Sequence, residues 1–166
     1  MRTIDQKTYT RQVLYGELAE AVFEFYAYHK NIYFVRSMLF IYDLLKYTIY
    51  KKERRLKDFK PSSRRILGFI EETKHYHAFL IENATRPHWT GKSDIGHLVA
   101  REGLPDYFCH DYWKRKWIFV EVKAEKSGLS SVQKKVFEIL KKKFDVYIFR
   151  VDLPEDLEIK IDLVKV

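Results

Sequence analysis

A single cysteine, Cys109, stands among the 166 residues, which excludes an intramolecular disulfide and points to a reducing compartment. No internal repeat, low-complexity tract or Gly/Ser linker interrupts the chain, so its length reads as one domain, or one domain with a helical extension. No long apolar run is present. The best membrane candidate, NIYFVRSMLFIYDLL, is cut by Arg36 and Asp43 and is too short to span. The N-terminal MRTIDQKTYTRQ is polar and lacks the apolar stretch of a signal peptide. An intracellular, cytoplasmic protein is expected, without a membrane partner or an organic cofactor. Zinc-ligand pairs are scarce as well. His75 and His77 share a face if their segment is a strand, but no second pair accompanies Cys109 and His110.

Apolar residues make up 46% of the chain, charged residues 33% and aromatics 16%, a composition fit for an unstapled globular core. The net charge of +8 favours a polyanionic partner, and its distribution says more than its total. Residues 51–65 hold eight Lys or Arg against two acids, among them Lys51, Lys52, Arg54, Arg55, Arg64 and Arg65. Lys114, Arg115 and Lys116 form a second cluster, and the stretch after Ser131 adds Lys134, Lys135 and Lys141 to Lys143. Such clusters either track a phosphate backbone or are solvated faces of the fold.

Hydrophobic periodicity predicts a helix over 7–29, with Leu14, Leu18, Val22 and Tyr26 four apart. A second helix is predicted over 34–57. Phe34, Met38, Ile41 and Leu45 lie on one side of it, and Phe40, Leu44 and Tyr47 on the other. A helix apolar on two faces is sandwiched within its fold or covered by a partner. Together the two would form a helical hairpin over 1–60 that dimerises or binds DNA. Pro61-Ser62-Ser63 signals the next helix, running to about Thr73 with Ile66, Leu67 and Ile70 inward. HYHAFLIEN and IGHLVAR (95–101) read as strands, and HWTGKSDIGH (88–97) as a loop. PDYFCHDY and WIFVEVK form a hairpin around Lys114-Arg115-Lys116. A helix capped by Ser130 or Ser131 then runs to about Phe144, followed by the strand DVYIFRV and an alternating tail, LEIKIDLVKV. The class is α/β, a mixed sheet with packed helices occupying 61–166.

The hairpin carries the chemistry. Alternate residues of a strand share a face, so Glu121 and Lys123 project together while Val120 and Val122 point into the core. A two-residue turn at Lys114-Arg115 pairs Asp106 with Lys123 and Phe108 with Glu121, placing Asp106, Glu121 and Lys123 on one face. A three-residue turn would move Asp106 to the other face. Two close carboxylates repel unless a proton or a cation sits between them, and a hard divalent ion, Mg²⁺ or Mn²⁺, suits oxygen ligands. Asp106, Glu121 and the carbonyl of Val122 would hold it. It would polarise a phosphodiester and acidify a water, while Lys123 would orient that water or stabilise charge at phosphorus.

Pro105-Asp106 followed by Glu121-Val122-Lys123 resembles the PD-(D/E)XK nuclease motif. With Gly103-Leu104-Pro105-Asp106-Tyr107, Phe119-Val120-Glu121-Val122-Lys123 and Leu129-Ser130-x-x-Gln133, the chain resembles the VRR-NUC (virus-type replication-repair nuclease) branch over roughly residues 62–152. The resemblance implies a restriction-endonuclease-like αβββαβ core and metal-dependent DNA cleavage, often of branched or flapped DNA by a homodimer. It places metal binding on Asp106 and Glu121 and the catalytic lysine on Lys123. Gln133 would support the site or contact the phosphate. The family's glutamate at the helix before the sheet has no counterpart in Ser62-Ser63-Arg64-Arg65, which leaves Glu17, Glu20, Glu24, Glu71 and Glu72 as sources of a further acid. Two rival readings are a non-catalytic DNA-binding or architectural module on the same fold, and a regulator whose N-terminal helices form a helix-turn-helix.

Overall fold

A computed structural model describes residues 6–85, 100–124 and 127–153, with side chains from residue 13 onward. The elements are α1 (Gln6–His29), β1 (Ile32–Arg36), α2 (Ser37–Lys52), α3 (Arg64–Glu72), α4 (His77–Ala84), β2 (Tyr107–Asp111), β3 (Lys116–Ala124), α5 (Ser131–Leu140) and β4 (Asp145–Val151). The strands form one mixed sheet in the order β1-β2-β3-β4, with β1–β2 and β2–β3 antiparallel and β3–β4 parallel. The α/β class is as expected. The segments 86–99 and 154–166, which hold Trp89, the loop HWTGKSDIGH, most of IGHLVAR and the alternating tail, lie outside the described residues; Ala100 makes an isolated bridge to Thr85.

The expected N-terminal helical hairpin is not formed. Ile32-Tyr33-Phe34-Val35 is a run of β-branched and aromatic residues, and it pairs along β2 as an edge strand instead of opening the second helix. The apparent helical spacing from Phe34 to Met38 is a coincidence of that run. With β1 between them, α1 and α2 take opposite faces of the sheet. Ala19, Phe23 and Ala27 of α1 pack with Tyr107, Ile118, Val120 and Val122. Phe40, Ile41, Leu44 and Leu45 of α2 pack with Phe108 and Phe119, together with residues of α3, α4 and α5. Of the two fates open to a helix apolar on two faces, α2 has the sandwiched one. Residues 6–52 therefore supply both cover layers and an edge of the sheet.

HYHAFLIEN is the second correction. Its alternation mimics a strand, but Leu80 and Ala84 are buried four residues apart on one side of α4, after a 3-10 turn at Lys74–Tyr76. The Nε2 of His77 bonds to the carbonyl of Ile70 at 2.8 Å, so the two histidines do not share a strand face. Helix α3 starts as expected, with Ser63 Oγ accepting from Ile66 N at 3.2 Å. The buried Asp43 of α2 anchors the segment before it, accepting from Ser62 N at 2.6 Å. Helix α5 stops at Leu140, and Phe144 beyond it is buried against Phe108 and Phe119.

The hairpin register differs from the expected one by two residues. The ladder runs from Tyr107↔Val120 to Asp111↔Lys116, closed by the four residues Tyr112 to Arg115. Asp111 Oδ1 accepts from Lys114 N at 3.0 Å, and Arg115 adopts a left-handed φ of 52°, which together fix the longer loop. Because the slip is even, the faces are preserved and Asp106 falls opposite Glu121.

Candidate active site

Strand β3 is central, so Glu121 enters a layer that is dry on both sides. Phe119 precedes it on the same face, and Val120 and Val122 are buried on the other. Glu121 is only 3% exposed. Its Oε1 lies 2.7 Å from the Nζ of Lys123 and accepts from Gln133 Nε2 at 2.5 Å. Its Oε2 is buried with no hydrogen-bond partner among the described residues. A charged oxygen in that state is costly unless something else meets it.

Gln133 is placed by the start of α5. Ser130 Oγ accepts from Gln133 N at 3.1 Å, and Gln133 Oε1 accepts from Ser130 N at 3.0 Å, a reciprocal capping box. The same amide oxygen lies 3.4 Å from Lys123 Nζ. Gln133 thus clamps the carboxylate of Glu121 and the ammonium of Lys123 to the helix terminus. The sequence left open whether Gln133 supports the site or meets a phosphate; in the fold its side chain bonds Glu121 and approaches Lys123.

Asp106 stands just before β2. Its carbonyl accepts from Ser37 N at 2.9 Å, and its Oδ2 accepts from Val122 N at 2.7 Å. The N–H and C=O of one strand residue point to the same edge, so the Val122 carbonyl also faces Asp106. Burial pushes the Asp106 carboxyl up to about 6. The neighbouring charges of Glu121 and Glu20 push the same way, against the Val122 N–H and Lys123. Gly103 lets this loop reach α5: its φ is +84°, and a Cβ there would come within 3.0 Å of Val132 Cγ1 and 3.1 Å of Gln133 N.

Arg36 was missed in the sequence, and Glu20 was one of five acids left unranked there. Glu20 of α1 and Arg36 at the end of β1 line one cavity with Asp106 and residues 100–105, of about 550 Å³. Arg36 Nη2 lies 2.7 Å from Glu20 Oε2 and 3.4 Å from Glu24 Oε1. Its guanidinium lies over the Tyr107 ring at 4.4 Å, and the Tyr107 hydroxyl donates to Glu24 at 2.7 Å. Burial works against the charge of Arg36, but Glu20, Tyr107 and Glu24 more than offset it. The legible signal was the spacing of Glu20 and Glu24, one helical turn apart. Glu17, Glu71 and Glu72 are exposed.

The other expected residues lie elsewhere. His110 shares the face of Glu121 but sits at the opposite end of the hairpin, against Trp117 at 4.7 Å. Cys109 is fully buried, which holds its thiol well above the ordinary range. Trp117 stacks on Phe108, whereas Trp113 is exposed at the hairpin tip. Of the basic residues expected to bind DNA, only Lys134, on the first turn of α5, adjoins the site. Lys114, Arg115 and Lys116 are at the far end of β3 from Lys123, and Lys51 and Lys52 at the end of α2 remote from Asp106. Arg54 and Arg64 are exposed, Arg55 pairs with Asp58 at 3.1 Å, and Arg65 reaches the carbonyl of Phe34.

Among the described residues no three His, Cys, Asp or Glu side chains are grouped to hold a metal ion. The available donors are two carboxylates and a backbone carbonyl, with Glu20 at the cavity wall. The unpartnered Glu121 Oε2 and the raised Asp106 are what a missing hard cation would leave, so the donor set fits one. No helix among the described residues is long and apolar enough to cross a membrane.

The chain matches no family model, no curated protein and no solved structure.

Proposed function

We propose that this protein is a divalent-metal-dependent deoxyribonuclease, hydrolysing phosphodiester bonds with Asp106, Glu121 and Lys123. The observation that carries the reading is the buried Glu121 carboxylate beside Asp106, one oxygen held by Lys123 and Gln133 and the other without a partner. The element order supports it. Leaving aside α2 to α4, inserted between β1 and β2, the order is α1-β1-β2-β3-α5-β4, the αβββαβ sequence that the VRR-NUC resemblance implies. In this alignment of elements the helix before the sheet is α1, and the further acid is Glu20.

Asp106, Glu121 and the Val122 carbonyl would hold Mg²⁺ or Mn²⁺, with Glu20 released from Arg36 as a further ligand. When bound, the ion supplies Lewis acidity toward the phosphodiester and lowers the pKa of a water. Lys123, 17% exposed and fixed by Glu121 and Gln133, presents its ammonium to the attacking water or to the charge growing on phosphorus. Glu121 and Gln133 orient it, so Lys123 need not be ordered during the reaction.

The test is incubation of supercoiled plasmid, linear duplex and a four-way junction with Mg²⁺, Mn²⁺ or EDTA, beside Glu121→Ala. Cutting that needs the metal and is lost in the variant is the expected result. Salt-sensitive binding with no cutting on any substrate would replace this reading with a non-catalytic DNA-binding module.

A further inference from the structure

Two basic clusters that are distant in sequence become one surface. Arg115 and Lys116 from the hairpin and Lys141, Lys142 and Lys143 after α5 line a single cleft, with Asp145 as its one carboxylate and Tyr76, Trp117 and Phe144 as its floor. Lys116 is paired with Asp145 at 3.1 Å and Lys141 with Glu138 at 2.8 Å. Among the described residues Arg115, Lys142 and Lys143 have no ion-pair partner. A cation or two at the end of α5 would suffice to offset the helix dipole, so that cannot account for this concentration. The aromatic floor is spent on the core, since Trp117 stacks on Phe108 at 5.2 Å and Phe144 is 4% exposed. Phosphates suit this surface, and unpaired bases do not.

We infer that the cleft is a second nucleic-acid contact, gripping the phosphate backbone of the duplex arm that flanks the bond held at Asp106, Glu121 and Lys123. The part of this concerning a flanking arm rests on the nuclease reading; the binding itself does not. Lys116 and Glu121 are five residues apart on β3, so the two contacts are separated by about 17 Å. At about 3.4 Å per base pair that is roughly five base pairs of duplex beyond the scissile bond.

The experiment measures duplex binding by fluorescence anisotropy in EDTA over a series of salt concentrations, using the full chain. Wild type is compared with K141S/K142S/K143S, with the single change Lys142→Glu in case the triple variant melts early, and with Glu121→Ala. Three lost phosphate contacts should lower the slope of log affinity against log salt by about 3, and Lys142→Glu by about 1. Glu121→Ala should keep the wild-type slope. In cutting assays, shortening the flank below about five base pairs should weaken wild type towards the level of the triple variant. A wild-type slope in folded triple variant and in Lys142→Glu overturns the cleft, whatever the cutting result. A cleft-dependent slope in a protein that never cuts supports the cleft and overturns the nuclease reading instead.

Discussion

Asp106 carries a stability cost that comes from burial. Its carboxyl is raised from 3.8 to about 6 in the folded chain, so between those values the folded state holds a proton that the unfolded state has released. Stability from this group is therefore complete below about pH 4 and is lost as pH rises through about 6. Asp106→Asn, which keeps an acceptor for Val122 N, should melt above wild type at pH 8 in EDTA. That difference should close near pH 4. A variant that melts below wild type at pH 8 would show that the carboxylate is not strained by burial. The half-buried Lys123 gives a second residue-level expectation: Lys123→Ala should lose cutting by several orders of magnitude while duplex affinity stays within a few-fold, read by gel assay and anisotropy. Equal loss of both would make it a binding residue.

The element that organises the site is the first turn of α5. Its capping box spends the Gln133 side chain twice, on Ser130 N and on the Glu121–Lys123 pair. Ser130→Ala removes the cap and should cost about 1 kcal/mol, visible as a lower denaturant midpoint. The Ser130 backbone N–H still meets Gln133 Oε1 in that variant, so kcat should fall no further than the stability loss accounts for. Gly103 is the other half of the joint. An alanine there meets α5 within 3.1 Å and cannot easily hold φ +84°, so Gly103→Ala should destabilise by roughly 1–3 kcal/mol and lower activity at saturating metal. An unchanged midpoint would mean that the loop and helix separate at no cost.

Across the whole molecule, one aromatic stack ties the layers together. Phe108 lies between Phe40 of α2 and Trp117 and Phe119 of β3, with Phe144 edge-on. Phe108→Ala should cost about 3–5 kcal/mol, measured by equilibrium denaturation. The face of α2 that carries Phe40, Ile41, Leu44 and Leu45 packs with α3 and α4, while Met38 and Leu39 of the same helix stay exposed. Divalent metal should couple to global stability too: Mg²⁺ should raise the wild-type Tm and leave Glu121→Ala unmoved.

Local chemistry was legible in the residues. The Glu121 and Lys123 alternation, the Ser130 cap and the start of α3 at Ser63 each depend on neighbours within a few positions, and each stands where the sequence puts it. The even-handed face of Asp106 also survived a slipped register, because a strand's side chains repeat every two residues. What only tertiary structure decided was which long-range partner each apolar run would find. IYFVR became an edge strand because β2 offered it a ladder, and HAFLIENA became a helix because Leu80 and Ala84 had a core to enter. For the same reason the glutamates of α1 were unranked until Arg36 and Asp106 stood beside Glu20. Short runs satisfy several periodicities about equally well, and burial against residues far along the chain selects among them.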